Sequence, residues 1–428
     1  MGLAEQLQFF LGSFAQFVLY WSMNQEYRTD VLISTYKFSE ALFQDFANIL
    51  NIPDKPEQYG WPIDQQIIEK GYMYEQHKIT TEDGFILTAF RIPGRFIEKQ
   101  NKKKKQPVYM QHGLIDDAGT WFFNNNVNID LSFQLADLGY DVWLTNSRGT
   151  VYSNQHRKFT TSDSNFWEFT LHEMGQYDVP ANLNYIMEKT GFDQVIYIGH
   201  SQGTTQWFIA NSLYWDIHKH FKVFIGVAPV MFIGETKSVA AKTLDLLKIP
   251  DFLYEFLDHV LYLPNLSGLG QPLLRTFPRS SWMMVQSIVG YDDKYHIDLA
   301  TLPMMAINDV GGTSTKNMLH WIQMLRSKRF CQFDYGKNEN MKKYGEPTPP
   351  NYDVYNFKED LKDIKMLLFY GQRDTLLDLE DYEKLKNVLP DHAKTIYIED
   401  YNHVDYMWAE DSNEFVNKHI VEFLKSIE

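Results

Sequence analysis

Residues 195–213 read VIYIGHSQGTTQWFIANSL. Val195 to Ile198 is a short β-branched apolar run of the kind that forms a buried strand. Gly199-His200-Ser201-Gln202-Gly203 follows at once, and Thr204 to Leu213 has helical character. A G-x-S-x-G pentapeptide between a strand and a helix is a sharp turn that lifts its serine above the sheet. The turn closes only if both flanking positions lack side chains, which assigns Gly199 and Gly203 to that task. The positive end of the next helix then faces the serine hydroxyl. The pentapeptide alone is weak evidence, because an inert serine in a structural turn would read the same. The strand before it and the helix after it make Ser201 a candidate nucleophile.

Outward from this turn the pattern repeats. Val108-Tyr109-Met110 leads into Gln111-His112-Gly113, and Val142-Trp143-Leu144 into Asn146-Ser147-Arg148-Gly149. Val223-Phe224-Ile225 leads into Ala228-Pro229, Met366 to Tyr370 into Gly371, and Thr395 to Ile398 into Tyr401. Each run is nearly continuously apolar, as strands buried on both faces are. Helical segments such as Leu131 to Leu138 and Tyr177 to Lys189 lie between most of them. The expectation is an α/β fold: a mostly parallel central sheet flanked by helices, with chemistry at the carboxyl ends of its strands. Before it, His77 to Pro93 alternates around Asp83-Gly84, a hairpin signal. From about Met231 to Met318 no strand is evident. That stretch is rich in Leu, Phe, Met, Trp and Pro and reads as an inserted, mostly helical cap.

A serine is a poor nucleophile without a base in hydrogen-bond reach. When the serine sits on such a turn, the acid and then the histidine follow it in the chain. His392, His403 and His419 lie in the last fifth of the sequence. His392 precedes a strand and His419 sits in a closing helix, whereas His403 follows the strand TIYIED and so belongs at the serine's end of the sheet. By the same placement Asp374, after MLLFYG, is the acid, with Asp378 as the fallback. Asp405 is too close to His403 to need a loop of its own. Acyl transfer also needs donors for an oxyanion. The backbone N–H of Gln202 is one, and the loop His112-Gly113-Leu114 offers the N–H of Leu114 as the second. Arg148, Glu173 and Asp178 read as ion pairs and caps that shape nearby loops.

Several longer segments carry a resemblance. They are TTEDGFIL at Thr80, QHGL at Gln111, DLGYDVWLTNSRG at Asp137 and FWEFTLHEMGQYDVPA at Phe166. GHSQGTTQ at Gly199, APV at Ala228, GGTSTKNMLHW at Gly311 and YNHVDYMWAED at Tyr401 continue them in order. From about residue 62 onward the chain resembles the acid lipase family of the α/β-hydrolase superfamily, the gastric and lysosomal acid lipases of animals. The resemblance implies a triad of Ser201, Asp374 and His403, and an oxyanion hole of Leu114 and Gln202. It also implies hydrolysis of triacylglycerols or sterol esters, often at acidic pH, and a lysosomal or secretory destination. The family's cysteine pair in the cap is missing, since Cys331 is the only cysteine. The cap segment diverges too, so its substrate pocket does not carry over.

The bulk numbers narrow the partners. A formal charge of −15 and a pI near 5.3 argue against a polyanion such as nucleic acid. The lysine run in NKKKKQ, Asn101 to Gln106, is most simply a solvated loop. No HExxH, CxxC or glycine-rich phosphate loop is present, so neither a metal nor a cofactor is expected. A single cysteine leans against an oxidising compartment. The sequon Asn265-Leu266-Ser267 is too common a triplet to weigh.

Residues 7–23, LQFFLGSFAQFVLYWSM, lack the basic flank of a secretory signal, since the only charges before Arg28 are the acidic Glu5 and Glu26. Leu7, Phe10, Phe14, Phe17 and Trp21 share a helical face. Three readings stay open: a helix packed on the body of the protein, a membrane-embedded anchor, and a cleaved signal. A second amphipathic segment places Leu42, Phe43, Phe46, Ile49 and Leu50 on one face.

The expected organisation is an N-terminal helical extension over 1–60, hydrolase core over 61–230, cap over 231–318 and core again over 319–428. The expected activity is a serine carboxylic ester hydrolase acting on fatty-acid esters at a lipid interface, with membrane or protein attachment through the N-terminal helix. The alternatives are a structural subunit on a hydrolase fold, and an esterase or acyltransferase for small esters.

Overall fold

A computed structural model describes residues 34–42, 44–45, 62–97, 104–122, 124, 126–256, 276–291, 296–302 and 310–427. The stripe within residues 7–23, the apolar positions Phe43, Phe46, Ile49 and Leu50, residues 101–103 of the lysine run and the sequon at Asn265 lie outside the described residues.

Nine strands form one sheet: β1 (Glu75–Thr80), β2 (Phe85–Ile92), β3 (Pro107–Gln111), β4 (Asp141–Thr145), β5 (Gln155–His156), β6 (Val195–His200), β7 (Phe221–Val227), β8 (Lys365–Gly371) and β9 (Lys394–Ile398). Their order is β1-β2-β4-β3-β6-β7-β8-β9, with β5 paired to β2 at the side. The hairpin read around Asp83-Gly84 is β1–β2, antiparallel with Glu75 opposite Arg91. From β4 through β9 every neighbouring pair is parallel.

Alternate residues of the central strands feed two cores. Val108, Met110, Ile196, Ile198, Ile225, Leu367 and Phe369 face one, while Tyr109, Tyr197, Phe224, Met366 and Leu368 face the other. Burial on both faces is what made these runs continuously apolar. The first core is closed by α1 (Leu131–Asp137), and the second by α2 (Val179–Thr190) and α3 (Gln202–Leu213).

Between β7 and β8 the described residues form helices and no strand. Among them are α4 (Pro278–Val289) and α5 (Thr315–Ser327). The expected cap boundary at residue 318 falls inside α5. Two further helices, α6 (Leu379–Val388) and α7 (Lys418–Ser426), complete the layers.

Residues 34–42 and 44–45 are helical and dock on the cap. The buried Asp45 carboxylate accepts the backbone N–H of Arg279 at 3.1 Å and of Ser280 at 2.7 Å, together with the Ser280 hydroxyl at 2.7 Å. These are free N–H groups of the first turn of α4, whose own N-cap position, Phe277, has no side chain able to bond them. This part of the extension is thus packed against the body of the protein. No helix among the described residues is long and apolar enough to cross a membrane.

At the opposite end of α4 the cap is tied to the sheet's loops. The Val289 carbonyl accepts from Thr375 N at 3.3 Å and from His403 N at 3.1 Å. Lys237 N and Ser238 N, at the cap's entry, donate to the Thr375 carbonyl at 2.8 and 3.1 Å. The entry of the insertion and the end of α4 therefore meet at the residue after Asp374.

Candidate active site

Parallel registers place Gln111 beside Gly199, Gly199 beside Gly226, and Gly371 beside Ile398. The loops after β3, β6, β8 and β9 consequently leave the sheet at one edge. Ser201, at the β6–α3 turn, has φ 52° and ψ −122°, a left-handed conformation that costs a non-glycine residue about 1–3 kcal/mol. Its N–H is held by the Val227 carbonyl at 3.0 Å. A Cβ on Gly199 would lie 2.9 Å from Thr204 N, and one on Gly203 would run into the Gln111 carbonyl. The two glycines are needed for close approach, as the turn chemistry implied.

The Ser201 hydroxyl lies 2.6 Å from His403 Nε2, and His403 Nδ1 lies 2.7 Å from Asp374 Oδ2. A carboxylate only accepts, so Nδ1 carries the proton and Nε2 presents its lone pair to the serine hydroxyl. The remaining carboxylate oxygen, Oδ1, accepts from Leu376 N at 3.0 Å and Leu377 N at 2.8 Å, which fixes the acid in place. All three side chains are buried or nearly so, with Ser201 the most accessible at 9%.

The other candidates go elsewhere. Asp378 caps α6 by accepting Glu380 N at 3.0 Å and pairs with Lys237 at 2.7 Å. His392 bonds the Ile364 carbonyl at 2.8 Å, and His419 lies on α7. Asp405 accepts Asn402 N at 2.8 Å and shapes the histidine loop. Arg148 is fully buried between Asp178, at 2.7 Å, and Asp83, and Glu173 completes a capping box with Thr170. These are the ion pairs and caps expected of them.

The loop His112-Gly113-Leu114 runs alongside the serine. A Cβ on Gly113 would sit 3.3 Å from Ser201 Cβ and 3.2 Å from His200 Nδ1. Gly113 N donates to Asp116 Oδ2 at 3.2 Å, which fixes the turn of the loop around Leu114. Gln202 opens α3 directly after Ser201. Two buried histidines frame this region uncharged. Burial pushes His112 down to about 4, and burial together with the nearby His403 and His112 pushes His200 to about 3.

Sequence reasoning missed three contributors: His200, the main-chain carbonyl of Val289, and the pair Asn317 and Trp321, which bond the Gln202 side chain. The last two lie in GGTSTKNMLHW, a segment recognised only for its likeness. Among the described residues no group of three His, Cys, Asp or Glu could hold a metal ion.

Comparison with known proteins gives this geometry its kin. Residues 106–410 match the family model of the alpha/beta hydrolase fold, and residues 63–125 match the partial alpha/beta-hydrolase lipase region. Gastric triacylglycerol lipase of Rattus norvegicus is 33% identical over 404 residues, covering 92% of this chain and 97% of the relative. The chain belongs to the acid lipase family. Lipase member K of Homo sapiens is 36% identical over 84% of this chain and 89% of its own length. The gastric triacylglycerol lipase of Homo sapiens is 35% identical over 87% and 92% respectively. Among solved structures, lip1 of Acinetobacter baumannii AYE superposes with a TM-score of 0.51 at 15% identity, covering 88% of this chain and 98% of that one. That likeness speaks for the fold alone.

Proposed function

We propose that this acid lipase family member hydrolyses carboxylic esters of long-chain fatty acids, with Ser201, His403 and Asp374 as its triad. The observation that carries the reading is the hydrogen-bonded line from Ser201 Oγ through His403 to Asp374, at 2.6 and 2.7 Å. Ser201 Oγ attacks the ester carbonyl carbon as its proton passes to His403 Nε2. The oxyanion that forms takes hydrogen bonds from the N–H groups of Gln202 and Leu114. The intermediate collapses, His403 gives its proton to the departing alcohol, and an acyl-serine remains. Water then attacks the acyl carbon, losing a proton to His403, and the fatty acid leaves as the serine is restored. Asp374 keeps the imidazole in the right tautomer throughout and stabilises its charged form.

The lipid character of the substrate rests on kinship and on the cap. Relatives are named triacylglycerol lipases. Leu247, Phe252, Met284 and Ile288 of the insertion are exposed, an apolar set suited to an aggregated lipid surface. Triacylglycerols and sterol esters both fit this reading. A lysosomal or secretory destination follows the same kinship. The test is a panel of emulsified long-chain and dissolved short-chain esters assayed across pH, with Ser201→Ala as control. Long-chain emulsions should be the faster substrates, and Ser201→Ala should lose roughly a millionfold in kcat while remaining folded. Retained hydrolysis by Ser201→Ala would overturn the mechanism, and equal rates on both ester classes would overturn the lipid assignment.

A further inference from the structure

The two N–H groups assigned to the oxyanion belong to different elements, the loop after β3 and the start of α3, and a single segment of the chain contacts both. The Gly311 and Gly312 N–H groups donate to the Ile115 carbonyl at 2.8 and 3.2 Å. Ile115 directly follows Leu114 and has φ 56°, a strained conformation that an outside partner must hold. Gly311 packs so closely on the Asp116 backbone that any side chain there would collide with it. Ten residues further on, Trp321 Nε1 donates to the Gln202 side-chain oxygen at 2.8 Å, and Asn317 Nδ2 donates to the same oxygen at 2.9 Å. An indole N–H can only donate, so the orientation of the Gln202 amide is set. Asn317 is itself fixed. Its Nδ2 also bonds Thr313 Oγ1 at 3.1 Å, and its backbone N–H bonds the N-cap Ser314 Oγ at 3.0 Å. Ser314 in turn donates to the Phe169 carbonyl at 2.6 Å. Gln202 and Asn317 are almost fully buried, so water does not compete for these bonds.

We infer that Gly311–Trp321 is the brace of the oxyanion hole, and that Asn317 and Trp321 are positioning residues acting through Gln202. The inference rests on the reading of Gln202 and Leu114 as oxyanion donors. Donor geometry matters chiefly in the tetrahedral state, so a loosened brace lowers kcat and leaves ester binding unchanged.

The test uses the full chain with Asn317→Leu, which keeps a branched side chain of similar size but loses the donor, and Trp321→Phe, which keeps an aromatic ring but loses the N–H. A soluble short-chain ester gives kcat, KM and the kcat–pH profile. An alkylboronic acid serves as the tetrahedral probe, and thermal melts report folding. The expected result is a fall in kcat of about 10- to 100-fold with KM within about twofold. Boronate affinity should fall in parallel, and the pH profile should keep its shape because His403 and Asp374 are untouched. If one variant does not fold, the other carries the test. An unchanged kcat in a folded variant, a loss confined to KM, or a shifted pH profile would each overturn the inference. Ser201→Ala keeps the two levels apart. If it stays active, the underlying mechanism fails. If it is inactive while both brace variants keep full kcat, only the brace fails.

Discussion

The imidazole of His200 donates its Nε2–H to the main-chain carbonyl of His403 at 2.9 Å. The residue before Ser201 therefore holds the backbone of the residue whose ring bonds the Ser201 hydroxyl. A carbonyl only accepts, so Nε2 carries a proton in the neutral and the charged ring alike, and this bond does not depend on the ring's charge. His200→Leu removes the donor and leaves a buried carbonyl without that partner. The expected outcome is a drop in kcat of about tenfold or more, from a misplaced imidazole. Steady-state kinetics on a soluble ester check it, and kcat equal to wild type would show that the β9 loop needs no such tie.

Asp374 and Asp378 sit four residues apart and do different work. Asp374→Asn should cost about ten-thousandfold in kcat by favouring the wrong His403 tautomer. Asp378→Asn should leave kcat near wild type, because its carboxylate faces Glu380 N and Lys237. Parallel kinetics of the two variants decide the matter, and the reverse ranking would reassign the acid.

Asp130 links stability to pH. Its carboxylate is buried and accepts Asn124 N at 3.1 Å and Asn126 N at 2.7 Å. Burial dominates and raises its pKa to about 7. An acid whose pKa is higher in the folded state contributes most below its unfolded pKa, about 3.9, and loses that contribution as pH rises through 7. Asp130→Asn removes this dependence. The difference in Tm, wild type minus variant, should therefore shrink between pH 5 and pH 8. A difference that grows with pH would mean that the folded protein prefers the charged carboxylate.

Asp45 should matter to the cap more than to the core. Asp45→Ala strips three hydrogen bonds from the first turn of α4, and the expected loss is about 1–3 kcal/mol. Limited proteolysis should then cut the cap before the sheet, and kcat should fall, since the far end of α4 holds the His403 loop through Val289. Identical melts and digestion patterns would show that the docked segment contributes nothing to the cap. Removal of residues 1–60 would likewise leave that turn of α4 without its Asp45 cap.

What could be read from sequence follows from locality. The central strands were legible because burial on both faces leaves an uninterrupted apolar run, as in β6 and β7. Ser201, Asp374 and His403 were legible because each sits just beyond the carboxyl end of such a run. Asp374 could be preferred to Asp378 because it is nearer the strand, and the structure places Asp378 on the next helix as its cap. The rest depends on partners far away in the chain. Gln202 meets Asn317 and Trp321 across 115 and 119 residues, and Asp45 meets Ser280 across 235. A backbone carbonyl such as that of Val289 has no signature in the sequence, so its two bonds to the Asp374 and His403 loops could not be foreseen.

Ser201 and His403 are separated by 202 residues along the chain. Ribosomes add about 5–20 residues per second, so the serine is made roughly 10–40 s before its base. During that interval Ser201 lacks the imidazole that bonds its hydroxyl in the folded protein. The line from Ser201 through His403 to Asp374 can therefore form only once the last parallel strand has paired. Synthesis of the chain thus sets a lag between the appearance of Ser201 and the arrival of its histidine partner.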